Sequence, residues 1–218
     1  MKLALFDLDH TLIPFDSGMA WTQFLVARGA LPAEAPARHL AFCHQYVAGT
    51  LDIRAMHRAS FAPLAEVPID QIAVWLAEFE RAIAPSVPAA ARALVAQHRE
   101  AGDLCALVTA TSRLIAEPFA RIVGLGHVLA TETQVSAGRV SGEIAGEPCF
   151  RDQKIRHVDR WLARFGRARS EFTESWFYSD SASDLPLLEV VTHPVAVSPD
   201  HRLRARVAEA GWPVIDLR

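Results

Sequence analysis

The segment Lys2-Leu3-Ala4-Leu5-Phe6-Asp7-Leu8-Asp9-His10-Thr11, near the start of the chain, decides the fold. Its apolar run ends abruptly in acid, which predicts a buried β-strand with Asp7 at its C-terminal end. Because successive side chains of an extended chain point to opposite faces, Asp7 and Asp9 lie on the same side. Two ionised carboxylates held close together are unfavourable unless a cation neutralises them, so the pair predicts a divalent-metal site.

The rest of the chain divides into a helical part and an alternating part. Between Ser17 and Ala84 the apolar residues recur three and four positions apart, and no strand-like run interrupts them. From residue 89 to the end, strand and helix signals alternate, which favours a parallel sheet covered by helices on both faces. We therefore predict an α/β chain, a doubly wound parallel sheet with a small all-helical cap inserted after the first strand. The core domain would comprise residues 1–14 and 86–218, and the cap domain residues 15–85.

The composition is that of an ordinary globular protein. The 218 residues are 51% hydrophobic and 22% charged, which allows a sizeable core and excludes disordered and collagen-like chains. The formal net charge of -3 gives no electrostatic reason to expect nucleic acid, and no apolar run is long enough to span a bilayer. The odd number of cysteines, in apolar surroundings, favours reduced thiols. We expect a cytoplasmic protein whose partner is a small molecule, with neither nucleic acid nor membrane.

Three further places carry polar groups at predicted strand ends or helix starts. Thr109 follows the predicted strand Cys105–Val108 and precedes the backbone amides of a helix start, an arrangement that can hold phosphate oxygens. Lys154 lies near the N-terminus of a predicted helix, where a cation opposes the helix dipole and needs an anionic partner. Asp180 and Asp184 follow a predicted aromatic strand and add two carboxylates.

These groups are expected to form one site, because ligands of parallel sheets bind at the carboxyl ends of the strands. A cluster of carboxylates open to water suits Mg²⁺, which prefers oxygen ligands and pairs with phosphate. Phosphoryl transfer uses all of these groups: one carboxylate attacks phosphorus, the metal and the lysine neutralise the phosphoryl oxygens, and a second carboxylate carries the proton. The pattern therefore predicts a Mg²⁺-dependent enzyme acting on a phosphate ester.

In this order the segments resemble the four motifs of the haloacid dehalogenase superfamily, in its phosphoserine-phosphatase-like branch. The segments are Asp7-Leu8-Asp9-His10-Thr11-Leu12, Leu107-Val108-Thr109, Lys154 and Ser179-Asp180-Ser181-Ala182-Ser183-Asp184. The resemblance covers nearly the whole chain and implies a Rossmann-like core, a small helical cap and a phosphomonoesterase that forms an aspartyl-phosphate. Asp9 favours a phosphatase, because haloacid dehalogenases proper lack an acid at that position.

The resemblance also implies a role for each site residue. Asp7 would be the nucleophile, and Asp9 would protonate the leaving alcohol and then activate the hydrolytic water. The residues expected to bind the phosphoryl group are Thr109, Ala110 and Lys154. The residues expected at the Mg²⁺ ion are Asp7, Asp9 through its backbone carbonyl, Asp180, and Asp184, which would orient the others.

The substrate is indicated by positions after the first motif. Asp16 occupies the place where the resembled phosphoserine phosphatases carry a Glu that binds the substrate's amino group. Ser60 stands where they carry a carboxylate-binding Arg, with Arg58 two residues earlier. The chain thus offers an acid that would bind a substrate amine, but no assured Arg that would bind a substrate carboxylate. This combination favours an amino-alcohol phosphate such as histidinol phosphate. Phosphoserine is the alternative, should Arg54 or Arg58 reach the substrate.

Simpler interpretations of several residues stay open at this point. Asp16 would also serve as the N-cap of the first cap helix, and Asp184 as the cap of the helix that follows it. Lys154 could instead be a solvated surface lysine, and Arg151 would then be the alternative candidate for the phosphate-binding position. His39 and Cys43 are one helical turn apart, but structural zinc usually needs four ligands in paired spacing, so we interpret them as surface and packing residues of the cap.

Two other functions share part of the pattern. A phosphotransferase or phosphomutase on the same scaffold would pass the phosphoryl group from the aspartate to a second substrate instead of water. A non-enzymatic receiver domain also uses acids, a Thr or Ser and a Lys at strand ends, but its phosphorylated Asp lies on a later strand and it carries no helical insertion.

Overall fold

The structure, a computed structural model, describes every residue from Met1 to Arg218. The eight strands are Lys2–Phe6 (β1), Leu104–Ser112 (β2), Val128–Thr131 (β3), Thr133–Ser136 (β4), Arg139–Ile144 (β5), Glu174–Ser179 (β6), His193–Val197 (β7) and Val214–Ile215 (β8). The nine α-helices are Ser17–Ala27 (α1), Ala35–Ala48 (α2), Ile53–Phe61 (α3), Ile69–Ile83 (α4), Ala89–Glu100 (α5), Arg113–Val123 (α6), Gln153–Ala163 (α7), Leu185–Leu188 (α8) and His201–Ala210 (α9).

Six strands form one parallel sheet in the order β3-β2-β1-β6-β7-β8. The first strand lies in the middle, where Leu5 pairs with Ala106 of β2 on one side and with Phe177 of β6 on the other. A strand covered on both faces has no polar side to present, which explains the unbroken apolar run from Leu3 to Phe6. The parallel sheet flanked by helices confirms the predicted α/β fold.

Apolar side chains cover the sheet on both faces. One cluster contains Phe6 together with Trp21 and Phe79 from the helices after β1 and Phe119 from α6. The other contains residues of α7, β6 and α9. Since Phe79 lies 5.9 Å from Phe119, ring centroid to ring centroid, the first cluster runs without a break from the predicted cap into the predicted core. The division of the chain at residues 15 and 85 stays a prediction.

Local sequence signals explain where several helices begin. Asp16, Asp52 and Asp200 each precede a helix and accept hydrogen bonds from backbone N–H groups of its first turn. These bonds satisfy donors that have no partner inside the helix. The longest helix, α4, has 15 residues, and none of the helices combines the length and the apolar character that crossing a membrane requires.

The strands β4 and β5 form the predicted antiparallel hairpin, which turns at Ala137 and Gly138. The hairpin packs against α3 at its edge. Gly142 has a φ of +84°, and a Cβ at this position would lie 3.0 Å from the Cβ of Ala62. The close approach of β5 to Ala62, the residue after α3, therefore depends on a glycine.

The second strand is longer than predicted. The sequence predicts that it ends at Val108, whereas β2 extends to Ser112 and Thr109 lies within it. Pairing with β3 resumes at Ser112 and Thr131 after an irregularity in register. The contact with β3, which local sequence does not show, keeps the segment after Val108 extended.

Candidate active site

The carboxyl ends of β1, β2 and β6 lie side by side because these strands are neighbours in the sheet. Asp7 immediately follows β1, and Asp180 immediately follows β6. The backbone N–H of Asp7 donates to the carbonyl oxygen of Tyr178 at 3.0 Å, which extends the strand pairing to the first acid. Asp7, Thr109 and Asp180 line one pocket at this edge of the sheet.

A buried lysine bridges two of the predicted carboxylates. The Nζ of Lys154 donates to Oδ1 of Asp7 at 2.8 Å and to Oδ2 of Asp184 at 2.7 Å. Burial alone would lower the pKa of Lys154, but the charges of Asp184 and Asp7 raise it well above its usual value. Lys154 is 2% exposed, so it is not a solvated surface lysine, and Arg151 does not line the pocket.

The hydroxyl of Thr11 connects the first and last motifs. It lies 3.3 Å from Oδ2 of Asp7 and 3.2 Å from Oδ1 of Asp180, and it accepts the backbone N–H of Asp180 at 3.0 Å. Thr11 stands in the quoted first motif but outside the predicted site residues. Its spacing of four residues from Asp7 is a signal that could have identified it.

The carboxylates of Asp7, Asp180 and Asp184 form a set that suits a divalent cation. Burial raises the pKa of each, neighbouring carboxylates raise it further, and the charge of Lys154 opposes the rise at all three. Asp184 accepts from Lys154 and from the hydroxyl of Ser179 through Oδ2, whereas its buried Oδ1 has no hydrogen-bond partner. Three oxygen-bearing acids with one lysine, and one unpaired buried oxygen, fit Mg²⁺ with its bound water.

The carboxylate of Asp9 is held apart from this set. Its Oδ1 accepts the backbone N–H of Ser17 at 2.6 Å, and its Oδ2 accepts the hydroxyl of Thr111 at 2.6 Å. Burial raises the pKa of Asp9 to about 6, the charge of Asp16 adds to the rise, and the hydrogen bonds from Ser17 and Thr111 oppose it. The Asp9 carboxylate is therefore bound to the start of α1 and to Thr111 of β2.

The middle of β2 supplies the expected phosphate-binding residues. Thr109 is 1% exposed, and its Oγ1 accepts the backbone N–H of Thr111 at 3.2 Å. Thr109, Ala110 and Thr111 all line the pocket beside Asp7 and Lys154. The structure thus brings the second motif together with the first and third.

Asp16 combines both of the interpretations that its sequence position allowed. Its Oδ1 accepts the backbone N–H of Met19 at 2.6 Å, as an N-cap of α1, and lies 2.9 Å from Nε2 of His39. The side chain also lines the pocket. Burial alone would raise the pKa of Asp16, but the hydrogen bonds from His39 and Met19 lower it below its usual value. An ionised carboxylate therefore faces the cap end of the pocket.

The structure does not bring the predicted Arg58 to the pocket. Its guanidinium is exposed and donates to both carboxylate oxygens of Glu143 on β5, at 2.8 and 3.1 Å. Arg54 donates to the carbonyl oxygen of Gly146 at 3.1 Å. Ser60 does line the pocket, and Lys154 is the only Lys or Arg among the lining residues.

Residues of the helical segment after β1, outside the predicted set, complete the pocket. Leu51, Met56 and Phe61 give it an apolar wall, and His57 lies among them. Tyr46 on α2 donates to the hydroxyl of Ser181 at 3.0 Å, which ties this helix to the fourth motif. These contacts join residues far apart in the chain, so no local pattern marks them.

Acidification is expected to remove a contribution that neutral, buried His57 makes to the stability of the protein. Burial lowers the pKa of His57 to about 4, with Glu143 raising it and Arg54 lowering it by smaller amounts. In the unfolded chain the imidazole of His57 is protonated near the ordinary histidine pKa of about 6.5. Above that pH protonation of His57 does not affect the stability of the fold, and its neutral folded form becomes progressively less favourable as the pH falls towards 4. We expect the contribution of His57 to the free energy of unfolding to fall by about 2 kcal/mol between about pH 7.5 and pH 5, whereas the buried carboxylates with raised pKa values contribute in the opposite direction.

Urea denaturation at about pH 7.5 and pH 5 measures this loss. In His57→Gln the neutral amide cannot take up a proton, so the wild type should lose about 2 kcal/mol of stability relative to this variant between about pH 7.5 and pH 5. The exposed His44 provides the control variant His44→Gln, which should keep the wild-type dependence. Equal dependence in all three proteins would contradict the assignment to His57.

Known proteins match this chain along most or all of its length. A family model described as haloacid dehalogenase-like hydrolase matches residues 4–189. A histidinol-phosphatase of Neisseria meningitidis serogroup C (strain 8013) is 37% identical over 220 residues, with 100% of this chain and 99% of the relative covered. A phosphoserine phosphatase of Mycobacterium tuberculosis (strain ATCC 25618 / H37Rv) is 30% identical over 225 residues, with 99% of this chain and 70% of the relative covered.

A solved structure matches over the same range. The crystal structure of a protein of unknown function from Bordetella pertussis Tohama I superimposes with a TM-score of 0.92 at 43% sequence identity. The match covers 100% of this chain and 99% of the other. The architecture described above is therefore shared with a solved protein from end to end.

Proposed function

The chain belongs to the haloacid dehalogenase-like hydrolase family and is a phosphatase of that family, and we propose that it is a Mg²⁺-dependent phosphomonoesterase for an amino-alcohol phosphate such as histidinol phosphate. One observation carries the proposal, the distribution of charge in the pocket. Lys154, the one Lys or Arg side chain of the pocket, lies beside Asp7, where a bound Mg²⁺ would add positive charge against the surrounding carboxylates. The ionised Asp16 lies at the start of α1. A substrate with a phosphate at one end and an ammonium at the other matches this distribution.

The positions of the side chains support an aspartyl-phosphate route. A carboxylate oxygen of Asp7 attacks phosphorus, the bond from phosphorus to the ester oxygen breaks, and the departing oxygen takes a proton from Asp9. Water then attacks the phosphorylated Asp7, with Asp9 accepting the proton from that water. Lys154 and Thr109 hold the phosphoryl oxygens in both steps.

Mg²⁺ would be held by the carboxylates of Asp7 and Asp180 and by the backbone of Asp9. Asp184 would support this site through its hydrogen bond with Lys154. When bound, the ion neutralises charge on the phosphoryl group and on the carboxylates around it. The hydrogen bonds from Thr11 and Lys154 orient Asp7 independently of the ion. Positioning of the nucleophile is therefore built into the protein.

The preference for histidinol phosphate over phosphoserine rests on what surrounds the leaving group. Phosphoserine carries a carboxylate, and a buried carboxylate needs a cationic partner. Arg54 and Arg58 face the hairpin instead of the pocket. The apolar wall of Leu51, Met56 and Phe61 suits a planar ring in place of the carboxylate. The relative named histidinol-phosphatase, 37% identical over its whole length, agrees with this choice.

We expect phosphate release from histidinol phosphate with a kcat/KM at least about tenfold higher than that from phosphoserine, which has no partner for its carboxylate. A panel of these two esters with sugar phosphates, assayed with and without Mg²⁺, measures the ratio. A clear preference for phosphoserine would overturn the substrate assignment and leave the reaction class intact. Loss of ester without equivalent release of phosphate would instead indicate a phosphotransferase, and adding candidate alcohol acceptors would then identify its product.

Asp16→Asn is expected to lower kcat/KM for histidinol phosphate by about tenfold to a hundredfold, because it removes the charge that pairs with the substrate's ammonium. Asn is as good an N-cap as Asp, so α1 should keep its start. The des-amino ester, imidazolylpropyl phosphate, is the matched substrate and should lose little. An equal loss with both esters would contradict an amine-binding role for Asp16.

A further inference from the structure

Three side chains with different ligating atoms meet in the cap wall of the pocket. Asp16 precedes α1, and His39 and Cys43 lie one turn apart on α2. One carboxylate oxygen of Asp16, one imidazole nitrogen of His39 and the sulfur of Cys43 all lie within 4.8 Å of one another. All three residues line the pocket. The tertiary fold thus adds to the His–Cys pair on α2 the third ligand that the local sequence lacks.

Two of the three distances within this cluster lie within about 0.5 Å of those in a tetrahedral metal site. Nε2 of His39 lies 2.9 Å from Oδ1 of Asp16, and Sγ of Cys43 lies 3.7 Å from Oδ2. Ligand bonds of about 2.0 Å to nitrogen or oxygen and about 2.3 Å to sulfur place neighbouring ligand atoms roughly 3.3–3.6 Å apart in a tetrahedron. The third distance, from the imidazole nitrogen of His39 to Sγ of Cys43, is at most 4.8 Å, so movements of about an ångström would bring the three atoms to the spacing of ligands.

The donor set distinguishes this cluster from the carboxylates around Asp7. Imidazole nitrogen and thiolate sulfur favour Zn²⁺ and similar borderline ions, whereas Mg²⁺ prefers oxygen. Burial and the charge of Asp16 raise the pKa of Cys43 to about 12, so a thiolate forms here only with a cation beside it.

The backbone leaves room for the imidazole at this place. A Cβ at Gly18 would lie 2.7 Å from Cε1 of His39 and 3.2 Å from Oδ1 of Asp16. His39 is 6% exposed, and the 2.9 Å contact of its Nε2 with Oδ1 of Asp16 holds the imidazole against the carboxylate. Glycine at this position permits the close packing of α2 on the start of α1.

We propose that Asp16, His39 and Cys43 form a second metal site, for a borderline divalent ion such as Zn²⁺ or Co²⁺, with its fourth position open to the pocket. On binding, Cys43 releases its thiol proton to solvent, and His39 carries its proton on Nδ1 so that Nε2 is free to coordinate. Without the ion, the same atoms are satisfied by the hydrogen bonds described above. The metal-free and metal-bound proteins therefore have the same fold.

Occupation of this site has a consequence for catalysis that rests on the proposed function. The ion binds the carboxylate that would receive the ammonium of the substrate. Zn²⁺ is therefore an inhibitor that competes with cationic esters, at a site separate from the one that holds Mg²⁺.

Co²⁺ titrated into the full-length protein in the presence of excess Mg²⁺ tests the site by absorption spectroscopy. Coordination by Cys43 should produce a thiolate-to-cobalt charge-transfer band in the near ultraviolet that saturates at one equivalent. Cys43→Ala should lack the band, Cys105→Ala should keep it, and His39→Gln should bind Co²⁺ about tenfold or more weakly. A wild-type protein without the band, or a band that persists in Cys43→Ala, would overturn the proposal.

Inhibition by Zn²⁺ provides a second measurement, with thermal melting used to establish that each variant is folded. Zn²⁺ should raise the KM for histidinol phosphate in the wild type and in Cys105→Ala, and by at least about tenfold less in Cys43→Ala. Equal inhibition of all three proteins would mean that Zn²⁺ acts at the carboxylates around Asp7, and it would contradict the proposal. If no ester is hydrolysed, the proposed function fails, whereas the cobalt band alone decides the metal site.

Discussion

Asp7→Asn is expected to lower phosphate release from every ester by about a thousandfold or more, because an amide oxygen is too weak a nucleophile to form the phosphorylated intermediate. Asn keeps the shape of Asp and accepts a hydrogen bond from Lys154, so the site should otherwise be retained. Phosphate release under saturating Mg²⁺, measured in single-turnover and steady-state experiments, gives the size of the loss. Transfer of radioactive phosphate to the protein should be detectable in the wild type and absent in the variant.

The control for this variant is Asp52→Asn, which makes the same chemical change at the N-cap of α3. Asp52 accepts backbone N–H groups of Arg54 and Ala55, and Asn performs the same role. Its activity should equal that of the wild type. Residual activity of Asp7→Asn within about tenfold of wild type would show that Asp7 is not the nucleophile.

Lys154→Met is expected to cause the second large effect, on activity and on stability together. The side chain carries the only positive charge between the buried carboxylates of Asp7 and Asp184. Removal of one partner from a buried ion pair costs about 3–5 kcal/mol, because the remaining charges lose their compensation. Loss of a donor to the phosphoryl oxygens should also lower kcat by about a hundredfold to a thousandfold. Urea denaturation without metal and phosphate release with Mg²⁺ measure the two effects.

The double variant Lys154→Met/Asp184→Asn separates charge compensation from packing. Asn at 184 removes one of the two uncompensated carboxylates, so the double variant should be more stable than Lys154→Met by about 1 kcal/mol or more. Its phosphatase activity should stay low because the cation that we propose to bind the phosphoryl group is still absent. A double variant less stable than Lys154→Met would mean that the lysine acts mainly by filling space.

The central part of the fold could be predicted because its signals are local. A strand buried on both faces must be apolar, so the run from Leu3 to Phe6 identified β1 and placed Asp7 at its end. Helical periodicity identified the block from α1 to α4, and the turn at Ala137 and Gly138 identified the hairpin. Which strands pair with one another was harder to predict. The extension of β2 to Ser112, for example, depends on its pairing with β3.

The arrangement of the pocket around Asp16 could not be predicted from the sequence, because it depends on contacts between residues far apart in the chain. The sequence placed Arg58 near the substrate, but Glu143, 85 residues further along the chain, holds its guanidinium outside the pocket. Asp16 was open to two interpretations, and the structure combines them by placing His39 against the same carboxylate. His57 and the apolar residues beside it became part of the site only through the packing of α3.

The sequence by itself determined the order of the motifs, the central strand and the chemical class of the groups at the strand ends. Steric preference and burial impose a pattern on residues close together in the chain, so strands and helices can be predicted from the local sequence. The tertiary structure decided which charges meet: Lys154 with both Asp7 and Asp184, Arg58 with Glu143, and Asp16 with His39 and Cys43. Hydrogen bonds and ion pairs act over only a few ångströms, so their partners are settled when distant segments pack together.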